Sequence, residues 1–355
     1  MKVDGALFPG VDDLRLYDGN LDIVPARARM LEEAGFDGLY TLETNVDPFF
    51  NMLLAAEHTT RIELITGVAI AFARSPMTVA LQSWNLQSYS RGRFILGIGS
   101  QVKAHIEKRF SMPWHGPAKQ MREYVLALRS IWNSWAGDGK LDFRGEFYTH
   151  TVTNPVFTPE RLECPPPKIY VGGLGPRMVE MAGEVADGLF GHPFITMPFI
   201  REVQVPALRR GLAKSGRTLA DFDMPGMIIT VTGRNEAEME RAKAAARRLL
   251  AFYGSTPPYY QVLAMHGWGD LGPLLNTMTK QNRWADMPAL ITDEIMEAFC
   301  VIGAPADIPG LIGQRCAGLV DRLTLYAPYP SAPEMWPDIV AGIKALPGKS
   351  AELAS

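Results

Sequence analysis

Eight short apolar runs, each separated from the next by a helical pattern, recur along this 355-residue chain. Alternation of that kind demands parallel strands joined by helical crossovers, since a parallel neighbour is reached only through a long connection. The strands are predicted at 3–8, 38–42, 61–71, 93–98, 169–171, 188–191, 227–232 and 322–326. The helices are predicted at 23–34, 48–58, 76–89, 118–135, 198–215, 236–252, 306–316 and 334–346. Asp22 is the expected N-cap of the first helix and Gly35 its stop; the third ends at Gly92. Eight units predict an α/β fold, a (β/α)8 TIM barrel, with a doubly wound open sheet as the alternative.

Two stretches interrupt the alternation. One, near 137–166, contains a predicted hairpin (LDFRGEFYTHTV) and a proline-rich exit. The other, 254–302, begins as an irregular aromatic segment (GSTPPYYQVLAMHGWGDLG) and turns partly helical. Loops of this length in a compact domain are usually functional. The expected organisation is one barrel domain over 1–346 with these two insertions, followed by a frayed tail at 347–355.

Composition narrows the function. Lys and Arg number 35 against 38 Asp and Glu, a net charge of −3, which gives no footprint for nucleic acid. No apolar run approaches a membrane span, and the opening MKVDGALFPG lacks the apolar core of a signal peptide. With three scattered cysteines, Cys164, Cys300 and Cys316, the expectation is a cytoplasmic protein with inert thiols. The six histidines show no HExxH-type spacing, so no metal site is expected. No G-x-S-x-G elbow and no facing pair of carboxylates appears.

The segment PKIYVGGLGPRMVEMAGEVAD, 167–187, carries the clearest chemistry. A short strand runs into Gly172, Gly173 and Gly175, then Pro176 opens a helix. The free N–H groups and dipole of a helix start favour an anion, and Arg177 adds a charged fork of donors. The stretch is not a dinucleotide fingerprint, because Met178 stands where the third glycine belongs. In a barrel the reactive groups lie where strands end. Those ends carry Glu43 and Thr44, then 69–74, then Ser100, Gln101, Lys103 and His105, and finally His192 before Pro193. So few acid–base groups beside a phosphate cradle suit a cofactor that brings its own chemistry. Each residue has a plainer reading: Glu43 as a helix cap, His192 as a turn residue bonded to backbone, Lys103 and Arg177 as surface charges, His266 and Trp268 as loop packing.

Five pieces, in order, resemble the luciferase-like flavin and deazaflavin oxidoreductases. They are AGFDGLYTLET, TGVAIAFARSPMTVA, GRFILGIGS, VGGLGPRMVEMAGEVADG and DRLTLYAP. The phrase SQVKAHIEKRFSMPW is similar to the branch that uses coenzyme F420. The resemblance implies a (β/α)8 barrel with a large insertion. It also implies that Gly172, Gly173, Gly175, Pro176 and Arg177 hold the cofactor phosphate. A non-prolyl cis peptide at Gly67–Val68, with Ala69 next to it, would back the tricyclic ring. Ser100, Gln101 and Lys103 would lie near the ring or its side chain. Glu43 and Thr44 stand where many members carry an Asp-His pair, and Ser100 where sugar-phosphate dehydrogenases of this type carry a glutamate. Glu43 is therefore the first candidate proton donor and His192 the second, with Thr44 beside them.

The reading that follows is an F420-dependent oxidoreductase exchanging a hydride with a small organic substrate. The alternatives are an FMN-dependent monooxygenase, a noncatalytic barrel that binds a flavin or phosphorylated ligand, and an unrelated barrel enzyme acting on sugar phosphates. The resemblance allows a homodimer. The aromatics Phe72, Phe194, Tyr259, Tyr260 and Trp268 suggest an apolar substrate, with 254–271 as lid.

Overall fold

The computed structural model describes residues 1–8, 19–316 and 318–350. Eight parallel strands curl into the barrel: β1 (Lys2–Ala6), β2 (Gly38–Thr41), β3 (Glu63–Thr66), β4 (Phe94–Gly99), β5 (Lys168–Gly172), β6 (Gly188–Phe190), β7 (Pro225–Val231) and β8 (Arg322–Tyr326). All eight lie on the runs the sequence marks. The two-residue piece Ala69–Ile70 prolongs β3 and pairs with the end of β4. β8 pairs with both β1 and β7, Lys2 opposite Arg322 and Pro225 opposite the same arginine. Between β6 and β7 the ladder shrinks to a bridge from Gly188 to Asp223, where the Asp223 N–H donates to the Asp187 carbonyl at 2.9 Å. Gly191 lets the two backbones pass there, since a Cβ would stand 2.8 Å from the Pro225 oxygen. A short strand, Cys300–Ile302, lies on the far side of β7; its three residues are too few for sequence periodicity to show.

The strand starts are sealed by buried charge. Arg322 holds Asp4 through two hydrogen bonds of 2.5 and 2.6 Å and Glu63 through a third of 2.5 Å. Burial raises the pKa of Asp4, opposed by Arg322. Gly38 must be bare here, because a Cβ would sit 2.2 Å from the Arg322 guanidinium. Asp223 joins the same layer, accepting from the Tyr170 hydroxyl and from Lys168, each at 2.6 Å. This face serves stability, as the strand-start face of a barrel does.

Helix ends follow local chemistry. Asp47 caps Pro48–Glu57 and Ser75 caps Pro76–Tyr89, each through its side-chain oxygen, and each helix opens on proline. Asp22 is not the cap expected of it. A short 3-10 turn, Leu21–Ile23, precedes the first helix, and Asn20 accepts the Asp22 N–H. The tail also departs from expectation. Lys349 tucks its amine against the carbonyls of Leu219 and Phe222 and the carboxylate of Asp321, the last two at 2.9 Å, and the Ser350 N–H reaches the Gly318 carbonyl. A buried cation with three oxygen partners is docked, not frayed; residues 351–355 lie outside the described part.

The insertions are more ordered than loops. The hairpin pairs Phe143–Arg144 with Thr149–His150, and the Glu123 carboxylate accepts the N–H groups of Glu146, Phe147 and Tyr148 across its turn. The segment expected to be irregular after Gly254 is mostly helical, with Pro257–Tyr259, Tyr260–Met265 and Leu271–Lys280. Tyr260 fills the space over Gly272, where a Cβ would meet its ring at 2.4 Å.

Candidate functional site

The ladder between β3 and β4 breaks at one place, and the break shapes the barrel mouth. The Gly67–Val68 peptide is cis. Backbone pairing stops at Ile65 and resumes at Ala69. In the gap Thr66 Oγ1 donates to the Gly97 carbonyl at 2.7 Å and accepts the Gly97 N–H at 2.9 Å. A side-chain hydroxyl thus replaces both partners of a missing backbone pair. Gly97 permits it, since a Cβ would lie 1.9 Å from the Thr66 carbonyl oxygen.

Val68 projects from this bulge over glycines. A Cβ on Gly99 would meet its side chain at 2.6 Å, and one on Gly172 at 3.1 Å. Below, the Phe190 ring fills the space at Gly67, where a Cβ would stand 2.5 Å from its edge. Residues from β3, β4, β5 and β6 therefore meet at one apolar shelf. Three of those expected near a cofactor, Gly67, Val68 and Gly172, form it, and Ala69 lies buried behind it.

Glu43, at the end of β2, is tied to the same bulge. Its Oε2 accepts the Ile70 N–H at 2.7 Å and the Arg74 guanidinium at 2.8 Å. Arg74 also reaches Asp47 at 2.8 Å and the Ile70 carbonyl at 3.2 Å. Burial disfavours the Arg74 charge, but the bonds and charges of Glu43 and Asp47 outweigh that and raise its pKa. With side chains 7% and 13% exposed, the Glu43–Arg74 pair is sheltered from water. The fixed partner of Glu43 lies thirty-one residues away, which no local spacing reveals. Thr44 points its hydroxyl at Asn45, and Arg109 donates to its carbonyl.

The glycine turn is braced from behind. Gln204 donates to the carbonyls of Gly173 and Leu174 at 3.4 and 3.3 Å. It sits in a π-helical turn, Ile200–Gln204, in line with the helix Val205–Lys214; such turns often mark functional sites. The helix Pro176–Val185 presses on Val205–Lys214 through two glycines: a Cβ on Gly183 would meet the Leu208 oxygen at 2.7 Å, and one on Gly211 the Glu180 oxygen at 1.9 Å. Met178 fills the space over Gly173. Gly175 is the residue before the helix and Pro176 its first. The N–H groups of Leu174 and Gly175 donate to no described residue, and the exposed Arg177 makes no hydrogen bond or ion pair with one.

Other expected residues are engaged locally. The Ser100 hydroxyl donates to the Gln101 carbonyl, and Gln101, at φ 57°, accepts the Val102 N–H. Lys103 is 63% exposed and faces Glu107 along its helix. Phe72 is buried beneath Trp114, and Phe194 stacks on Phe299 at 4.4 Å, so neither lines an open surface. Tyr259 and Trp268 stay partly exposed. His192 accepts the Phe194 N–H on Nδ1 at 3.0 Å and stands 4.5 Å from the Tyr259 ring and 4.9 Å from Tyr253. Among the described residues no group of three or more His, Cys, Asp or Glu could hold a metal ion, and no helix is long and apolar enough to cross a membrane.

Comparison with known proteins gives the chain its family and agrees with its fold. A family model described as luciferase-like monooxygenase matches residues 1–321. An uncharacterized protein of Mycobacterium tuberculosis is 51% identical over 310 residues, covering 86% of this chain and 91% of its own. A 5,10-methylenetetrahydromethanopterin reductase of Archaeoglobus fulgidus is 27% identical over 326 residues, covering 90% and 92%. The solved coenzyme F420-dependent tetrahydromethanopterin reductase of Methanopyrus kandleri superposes with a TM-score of 0.76 at 20% identity, covering 97% of this chain and 98% of the other.

Proposed function

The chain belongs to the luciferase-like monooxygenase family, and on that premise we propose that it is an oxidoreductase working with coenzyme F420 on a small organic substrate. The observation that carries the reading is the pairing of an apolar shelf at Val68 with an unpartnered anion cradle at Leu174, Gly175 and Arg177. A phosphorylated tricyclic cofactor needs both, a flat apolar support and a donor set for its phosphate. When bound, deazaflavin supplies hydride exchange with a carbon centre.

The chain's own residues hold and orient. Thr66 and Gly97 fix the bulge, Val68 forms the shelf, and Arg177 with the turn N–H groups receives the phosphate. Glu43 is a positioning group in this reading: a side chain shared by a guanidinium and a backbone N–H braces the loop after β3. Gly172, Gly173 and Pro176 shape the cradle. Ser100 and Gln101 would lie near the ring or its side chain and Thr44 near the ring edge and the substrate, with Lys103 at the surface. The rest of the proposal is a cytoplasmic protein with one barrel domain over 1–346. A pair of copies would cover the exposed side chains of Phe50, Leu53 and Leu81 on the helices Pro48–Glu57 and Pro76–Tyr89.

Fluorescence titration of the purified protein with F420 and, separately, with FMN tests the cofactor. Tight saturable F420 binding with weak FMN binding is the expected result. FMN preference with oxygen-dependent turnover would replace this reading with a monooxygenase. Binding without turnover under any donor would favour a carrier.

A further inference from the structure

One wall of the mouth is used neither by the shelf nor by the cradle. It is built from the segment after β6 and from the turn that follows the helix Glu236–Gly254. There His192 has its tautomer fixed by geometry: Nδ1 accepts the Phe194 N–H, so the single proton of the neutral ring sits on Nε2. Burial among Tyr253, Tyr259 and Phe194 drives the imidazolium pKa down to about 3. Nε2 is therefore a donor that keeps its proton. Beside it, the hydroxyl of the partly exposed Tyr259 bonds to no described residue, and burial pushes its pKa up to about 12.

His192 also continues the line of β6 toward the mouth. Phe190 packs beneath the Gly67 bulge. His192 follows two residues later, held extended by Pro193, and so falls on the same face one step nearer the mouth. The surroundings are aromatic, with Tyr253, Phe194 and Phe299 behind, and His266 and Trp268, stacked on each other at 4.9 Å, beside Phe299. Among the described residues no lysine or arginine takes part in this cluster.

We propose that His192 Nε2–H and Tyr259 O–H form a two-donor clamp for the carbonyl oxygen of an aryl ketone or aldehyde, with Tyr259 as the proton donor. The inference rests on the oxidoreductase reading above. As the carbonyl carbon takes a hydride from the reduced deazaflavin, the C=O π pair moves to oxygen. That oxygen takes the Tyr259 proton; the hydride donor, left oxidised, gives up one proton to solvent, and water returns a proton to the tyrosinate. His192 donates a hydrogen bond throughout, because giving up its only N–H proton would leave an imidazolate. An aryl group suits the partly exposed rings of Tyr259 and Trp268, whereas a carboxylate or phosphate would find no cation there among the described residues.

The test uses the full chain and acetophenone as probe. In [15N]histidine-labelled protein His192 should show the Nε2–H tautomer from pH 5 to 8. An imidazolium or an Nδ1–H tautomer in that range overturns the proposal. The infrared carbonyl stretch of bound acetophenone should move to lower frequency, with and without F420. His192→Phe and Tyr259→Phe should each reverse part of the shift, and His192→Gln, which keeps an N–H, should restore it. Tyr259→Phe should also lower acetophenone turnover by roughly 10²-fold. Failure of acetophenone to bind, or a stretch unchanged in both Phe variants that retain the wild-type circular dichroism, overturns the proposal. F420 titration is read separately: loss of that binding refutes the cofactor reading while the spectra still decide the clamp.

Discussion

Glu43 and Arg74 meet at 2.8 Å, and the same carboxylate oxygen takes the Ile70 N–H at 2.7 Å. The contact ties the end of β2 to the loop that leaves the cis bulge. It makes the placement of the shelf depend on an ion pair well outside the shelf itself. Glu43→Gln should therefore lower stability by about 1–3 kcal/mol, the scale for losing one charged hydrogen-bond acceptor while Arg74 keeps Asp47 and the Ile70 carbonyl, and weaken cofactor binding. Denaturant unfolding and F420 titration measure both. A variant with normal stability and binding but a collapsed kcat would return Glu43 to the role of proton donor.

Arg177 has no partner among the described residues, so removing it costs the fold little. Arg177→Ala should leave the melting temperature within a degree or two and weaken phosphorylated cofactors by about 10- to 100-fold, the worth of one charge-assisted hydrogen bond. Comparing F420 with its dephosphorylated flavin-like core in the same titration isolates the effect. Equal loss for both would place Arg177 elsewhere in the site.

Gly97 faces the Thr66 carbonyl, where a Cβ would be 1.9 Å away from backbone that cannot step aside. Gly97→Ala should destabilise by several kcal/mol, in the manner of an overpacked core. Thr66→Val keeps the shape and removes the bridging hydroxyl, leaving the Gly97 N–H and carbonyl unpaired, at about 1–3 kcal/mol. Chemical denaturation checks the order: Gly97→Ala worse than Thr66→Val.

Asp4 and Arg322 are buried together at the strand starts. Asp4→Ala should cost roughly 3–5 kcal/mol, since the arginine stays behind with only Glu63. Arg322→Met with Asp4→Leu should recover much of that loss by turning the layer apolar. If the double variant were less stable than the single, the network would be favourable in itself and not merely expensive to break.

His192 ties stability to pH. Its folded pKa, about 3, lies below the ordinary value of 6.5, so the unfolded chain binds the extra proton first. Stability should be full above pH 6.5 and fall as pH drops toward 3, by up to about 1.4 kcal/mol per pH unit from this group. His192→Phe should flatten that part of the profile. A profile of unchanged slope between pH 6 and 4 would show that the ring is charged in the folded protein.

Much of this was legible in the chain. All eight barrel strands, the helix-opening prolines and the glycine turn at 172–175 follow from period, proline position and glycine spacing. Those are properties of neighbours in sequence, and the physics of strand and helix acts over a few residues. Cys300–Ile302 escaped because three residues carry no period, and the anchoring of Lys349 was not foreseen because its partners lie on other segments. The glycines at 97, 99 and 191 could be seen, but not what they make room for.

What the sequence determined by itself was the parallel barrel and the short stretches from which its mouth is built, because local pattern fixes which residues become strands and which end them. The tertiary structure alone decided the roles. Glu43 became a brace because Arg74 arrives beside it from the next loop. Tyr259 became a candidate donor because a turn some seventy residues away sets its ring against His192. Val68 became a shelf because glycines of two neighbouring strands lie under it. Hydrogen bonding, desolvation and packing depend on distances in space, and closing the barrel sets those distances.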